Sequence, residues 1–373
     1  MILFLLLSRF CIAQSTYTYS EPKTIADGWE TNSIHELEVD TTRIQKLFEQ
    51  LNREKNKLHS ALLVIDNQLV IEEYLNKQTA DQQHDLRSVT KSITSLLLGI
   101  AIDKGFIDSI DDPVSKYITD PAPKKNKHPR KDDNTIRHLI TMSSGLDCND
   151  WDKKSKGQED RVYKKKDWLQ YFMDLPMTND PGAVSSYCTM GQILMTEIIS
   201  RTSGMPIDKF AEQYLFTPLG ITNLSWGHTS KKEVIASGKR LYMIPRDMAK
   251  LGQLILNKGK WNDQQIISEA WIEQSTSDQI QLSGIGYGFL WWNIPLNANG
   301  KKVIAKSATG IGGQYFMVLP EFNMVAVFTG GAYNSEEGKL PFAIMMDIFL
   351  WTFAPKLQIP LLQAPHIYSF ELS

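Results

Sequence analysis

Ser88 and Lys91 stand three residues apart in the stretch RSVTKSITSLLLGIAIDKG, residues 87–105, where a hydroxyl and an amine open an otherwise apolar run. On a helix, residues three apart share a face, so the Lys91 amine can reach the Ser88 hydroxyl. A serine hydroxyl is a weak nucleophile until a neighbour takes its proton, and a desolvated lysine, or a phenol held by one, can do so. From Ser92 to Ile102 the run is apolar on nearly every side, which predicts a helix buried in the middle of the molecule. Burying its polar first turn is costly unless that turn faces a cleft. The helix N-terminus would then aim a positive field at charge developing on an attacked carbonyl. A capping serine beside a snorkelling lysine is the plainer reading of the same pair. A second Ser-x-x-Lys, Ser20 to Lys23, has no apolar helix after it and reads as coincidence.

The rest of the chain must position this pair. At 373 residues it exceeds the roughly 250–300 residues at which one core stops growing, so two regions are expected. Helical spacing in residues 41–55 puts Ile44, Leu47, Phe48 and Leu51 on one face. Two apolar runs hinged at Asp66-Asn67 predict a hairpin over 61–75. Helical periodicity with frequent breakers fills 107–230. Strand patterns return at 301–306, 313–320 and 324–331, and an apolar helix closes at 341–353. The expected fold class is α+β: an antiparallel sheet flanked by helices, with an inserted all-helical region. The expected organisation is a leader over 1–13, a discontinuous α/β unit over 35–106 and 231–355, a helical insertion over 107–230 and an extended tail over 356–373.

A net charge of −2 argues against nucleic acid as a partner. The basic stretch Lys124 to Asp133 reads as a solvated loop. The apolar N-terminus reads as a secretory signal cut after Ala13, too short to span a bilayer, which predicts a secreted or periplasmic protein. Phe10 before Cys11 argues against a lipid-bearing cysteine. Cleavage would leave Cys148 and Cys188, either bridged or as two inert buried thiols. No histidine stands in a partner motif for Cys188, so a thiol enzyme is not expected, and His138 reads as structural. The absence of a Gly-x-Ser-x-Gly elbow argues against an α/β-hydrolase. With no His-Glu-x-x-His and no clustered Cys/His, neither a metal nor a cofactor is expected.

Two further stretches carry a resemblance. DPGAVSSYCTMGQILMTEIISRTSG, residues 180–204, places Tyr187 just ahead of a helix. KSATGIGGQYFMVLP, residues 306–320, sets Ala308-Thr309-Gly310 against a glycine-rich strand start. Ser-x-x-Lys, a mid-chain tyrosine and an x-Thr-Gly element before a C-terminal strand, in this order, resemble the serine β-lactamase and penicillin-binding-protein superfamily. Within it the chain is most similar to class C β-lactamase-related hydrolases, a group that includes carboxylesterases and 6-aminohexanoate-dimer hydrolases. TIRHLITMSSGLD (135–147), RDMAKLGQLILNKGKW (246–261) and GYGFLWW (286–292) extend the similarity from about residue 35 to 355.

The resemblance implies a β-lactamase/transpeptidase-like fold and an acyl-enzyme on Ser88. It implies that Lys91 polarises the site and that Tyr187 acts as general base and then general acid. The backbone N–H groups of Ser88 and Ile311 match the oxyanion donors, and Thr189, Thr309 and Gly310 match substrate-binding positions. A Cys148–Cys188 bridge would brace the base. Thr189 stands where penicillin-handling relatives carry Asn, and Ala308 where they carry the Lys that meets a substrate carboxylate. These departures favour a small ester, amide or short peptide-like substrate. The alternatives are a D-alanyl-D-alanine carboxypeptidase or weak class C-like β-lactamase, and a non-catalytic binding protein. The aromatic-rich segments 151–172 and 286–292 are expected to line the cleft.

Overall fold

The computed structural model describes residues 17–227 and 240–354; the expected leader, Cys11, the boundary near residue 230 and the tail lie outside them. In chain order they form β1 (Glu30–Thr31), α1 (Thr42–Arg53), β2 (Leu58–Ile65), β3 (Gln68–Tyr74), β4 (His84–Asp85) and α2 (Val89–Asp103). Next come short helices, α3 (Val114–Tyr117), α4 (Ile136–Ile140), α5 (Glu159–Val162) and α6 (Trp168–Met173), then the long α7 (Thr189–Ser203) and α8 (Ile207–Ala211). The second half contains β5 (Leu224–Trp226), β6 (Leu241–Met243), α9 (Pro245–Leu256), β7 (Lys260–Trp261), β8 (Gln264–Gln265) and α10 (Glu269–Thr276). Five strands, β9 (Ile280–Leu282), β10 (Ile285–Tyr287), β11 (Trp292–Ala298), β12 (Lys301–Gly310) and β13 (Gln314–Leu319), precede β14 (Met324–Gly330) and the closing helix, 340–353.

The main sheet runs β1-β3-β2-β14-β13-β12-β11-β10-β9. Every neighbouring pair is antiparallel except β1 with β3. The β2–β3 hairpin turns where expected: Asp66 and Asn67 take φ of 48° and 65°, the left-handed backbone that a tight two-residue turn needs. The inner strand β14 is buried at every position, as a strand covered on both faces must be. On one face Ile44, Phe48 and Leu51 of α1 join Met345, Phe349 and Leu350 of the closing helix in an apolar layer. On the other lie α2, α7 and α9. Gly252 brings α9 onto the sheet: a Cβ there would come within 2.4 Å of Val325 Cγ1.

Several strands were not legible in the sequence. The strand β11 alternates buried and exposed positions, but Pro295 argues against a strand interior. It is tolerated because β10 reaches only Trp292 and Asn293, leaving β11 without that neighbour at Pro295. β5 ends the otherwise helical stretch 107–230 by pairing with β6, which also pairs with β4. Three residues give too short a pattern to read. Among the described residues no helix is long and apolar enough to cross a membrane.

Candidate active site

Arg87, between β4 and α2, has φ of +51°, a conformation a non-glycine residue rarely takes without support. Asp85 supplies that support, accepting from the Arg87 backbone N–H at 3.0 Å and pairing with its guanidinium at 3.1 Å. Ser88 therefore starts α2 from a fixed, sharply turned backbone. Its hydroxyl makes no helix-capping bond; instead it accepts from Lys91 Nζ at 3.2 Å. The capping reading of this serine is thereby set aside. The other Ser-x-x-Lys, at Ser20 and Lys23, lies on exposed extended chain.

Lys91 is buried in the first turn of α2, and its Nζ lies 4.7 Å from the centre of the Tyr187 ring. Burial works against its charge, but the Tyr187 phenol and the Asp150 and Glu159 carboxylates outweigh burial and hold the ammonium above its ordinary value. Lys91 is thus a cation at neutral pH. Tyr187 comes from the extended segment just before α7, ninety-nine positions after Ser88. It is buried and flanked by Trp151, whose ring is parallel within 2° at 5.0 Å, and by Trp292 at 5.9 Å. The structure therefore sets the Lys91 ammonium against both the Ser88 hydroxyl and the Tyr187 ring.

Cys148 and Cys188 are bridged, which ties the loop 148–152 to the residue after Tyr187. That tie delivers Asp150, which the sequence analysis missed. Asp150 Oδ2 accepts from the Thr189 N–H at 2.8 Å and the Thr189 hydroxyl at 2.7 Å. Its Oδ1 accepts from Glu159 N–H at 3.1 Å, and its own N–H donates to the Tyr187 carbonyl at 2.8 Å. Burial raises the Asp150 carboxyl, while Lys91 and Thr189 pull it down. The hydroxyl of Thr189, expected to meet substrate, is committed to Asp150. The signal that could have found Asp150 was the cysteine pairing itself, since a bridge from 148 to 188 sets residue 150 beside 187–189.

The end of β12 closes the other side. Gly310 packs so tightly that a Cβ would come within 2.4 Å of the Leu86 carbonyl oxygen and 3.2 Å of Arg87 Cβ, which seats the following Ile311 beside the start of α2. Ser88 and Ile311 line one cleft with Arg87, Lys91, Thr189 and Arg240. Among the described residues no protein acceptor takes the backbone N–H of Ser88 or of Ile311. Thr309 is half-buried and by alternation projects to the other side of β12 from Ala308 and Gly310. Ala308 is buried across from Phe316. Lys306 does not stand in for the missing lysine, because its Nζ donates to Thr276 of α10 at 2.8 Å. His138 is structural, forming a reciprocal cap with Thr135 at the start of α4.

A 6-aminohexanoate-dimer hydrolase from Paenarthrobacter ureafaciens is 22% identical over 314 residues, 78% of this chain and 76% of that protein. Among solved structures, an octameric penicillin-binding protein homologue from Pyrococcus abyssi superposes with a TM-score of 0.64 at 20% identity, over 83% of this chain and 77% of that one. EstCE1, a hydrolase with promiscuous acyltransferase activity, gives 0.66 at 15% identity, over 82% and 97%. The structural likenesses establish the β-lactamase/transpeptidase-like fold expected from the motifs. The beta-lactamase family model matches residues 44–341, from α1 through every strand that builds the cleft, and the chain belongs to the beta-lactamase family.

Proposed function

We propose that the protein is a serine hydrolase that cleaves ester or amide bonds through an acyl-enzyme on Ser88. The observation that carries this reading is the Lys91 ammonium, buried and 3.2 Å from the Ser88 hydroxyl while facing the Tyr187 ring. In the proposed reaction Ser88 Oγ attacks the substrate carbonyl carbon as Tyr187 takes the hydroxyl proton. Lys91 Nζ, within hydrogen-bond reach of Ser88 Oγ, holds that hydroxyl in place for the transfer. The N–H groups of Ser88 and Ile311 hold the oxyanion. Collapse of the tetrahedral intermediate expels the leaving group, which takes its proton from Tyr187. Water then repeats the sequence on the acyl-enzyme. The Cys148–Cys188 bridge supports, as part of the same proposal, a site of action in an oxidising compartment.

Ala308 and the engagement of Lys306 with Thr276 favour ester or amide substrates over penicillins and D-alanyl-D-alanine peptides. Turnover of p-nitrophenyl butyrate should exceed that of nitrocefin; faster nitrocefin cleavage would reverse the order.

Asp150 enters this scheme by sustaining the Lys91 charge. Asp150→Asn keeps the size of the side chain and an acceptor for Thr189 but removes one of the groups that raise the ammonium. Activity that needs protonated Lys91 is lost as pH rises through its titration, so the alkaline limb of kcat/KM should move to lower pH in the variant. A limb that stays in place or moves upward would show that Asp150 only braces the loop.

A further inference from the structure

We propose that Trp151, with Trp292, forms the leaving-group side of the cleft and selects an uncharged apolar leaving group, a flat ring or an unbranched alkyl chain. This rests on the acyl-enzyme reading above, in which Tyr187 hands its proton to the departing oxygen or nitrogen. A group receiving that proton must lie against Tyr187.

Two tryptophan rings flank the Tyr187 ring. Trp151 stacks on it at 5.0 Å, Trp292 at 5.9 Å, and the two tryptophans lie 6.5 Å apart. Even so, Trp151 remains 57% exposed. A large aromatic side chain left this open beside a reactive centre offers surface that a ligand can cover. It is also held in place before any ligand arrives. The Trp151 backbone N–H donates to Asn149 Oδ1 at 2.9 Å, and the same short segment carries the bridged Cys148 and the fourfold-bonded Asp150. Little ordering is left to oppose binding. The guanidinium groups at the cleft are already engaged: Arg87 and Arg240 share Asp85, at 3.1 and 3.3 Å. That engagement favours an uncharged partner over a leaving group bearing a carboxylate.

Acetate esters of ethyl, butyl, hexyl and octyl alcohol supply the test. These alcohols have nearly equal acidity and differ in apolar surface, so rate differences report binding. kcat/KM should climb with alcohol length in the wild type, by about two- to fourfold per methylene. Trp151→Ala should lower the hexyl-to-ethyl ratio by about tenfold, while Trp151→Phe should retain most of it. The ratio of p-nitrophenyl butyrate to p-nitrophenyl acetate, which differ on the acyl side, should not change in Trp151→Ala. A wild-type rate flat in alcohol length, or a Trp151→Ala loss spread equally over both series, overturns the assignment. Fluorophosphonate labelling separates the two levels of the proposal. A labelled wild type with a flat series sinks the leaving-group assignment alone, whereas an unlabelled wild type sinks the acyl-enzyme reading and this one with it.

Discussion

Ser88→Ala should abolish fluorophosphonate labelling and lower ester hydrolysis by roughly 10⁵- to 10⁶-fold, the scale seen when a covalent nucleophile is removed from a serine hydrolase. The fold should survive the change. Ser88 is only half-buried, caps no helix N–H and spends its hydroxyl on Lys91 alone among the described residues. Thermal melting of the variant should therefore stay close to that of the wild type while labelling vanishes. Labelling that persists in Ser88→Ala would place the nucleophile elsewhere. A wild type that never labels, and turns over neither ester nor amide, would point to a binding protein that kept the cleft without the reaction.

The second large effect is expected at Tyr187. Tyr187→Phe deletes one oxygen and leaves the ring to pack between Trp151 and Trp292, so the loss should be chemical rather than structural. Removing a general base of this kind costs about 10²- to 10⁴-fold in kcat. The variant should still label with a fluorophosphonate, but more slowly, since Ser88 and the two backbone N–H groups proposed to hold the oxyanion remain. Substrate KM should change little beside kcat, because the phenol acts on the proton in flight. A variant with near-normal kcat would remove Tyr187 from the proton path and point to Lys91, which already contacts the Ser88 hydroxyl, as the base.

How much of this could be read without coordinates depended on how local the information was. Ser88 and Lys91 were legible because one helix turn fixes their relation, and the burial of α2 followed from its apolar run. The hairpin at Asp66-Asn67 was legible for the same reason. Tyr187 carried no local signature; it emerged from the order of motifs along the chain. Asp150 was invisible because its role depends on where the 148–188 bridge puts a loop, and the sequence left that pairing open. Trp151 and Trp292 stood in segments expected at the cleft, yet only the fold could show that both stack on one ring. The strands β9 to β11 escaped because they are short or carry a proline whose tolerance depends on which neighbour is missing. Thr189 and Ala308 were legible as departures. What fills the gap at Thr189, a carboxylate from another segment, was not.

The sheet order has a consequence for synthesis. The strand β2, complete by Ile65 and paired at once with β3, finds its second partner only in β14, which begins at Met324. At ordinary elongation speeds the first hairpin therefore waits on the order of ten to fifty seconds with one hydrogen-bonding edge unclaimed. Through that interval the nascent chain is open to pairing with a neighbour on the same message. Holdase chaperones, or initiation sparse enough to keep nascent chains apart on the message, should raise the yield of soluble protein more than any change confined to the cleft.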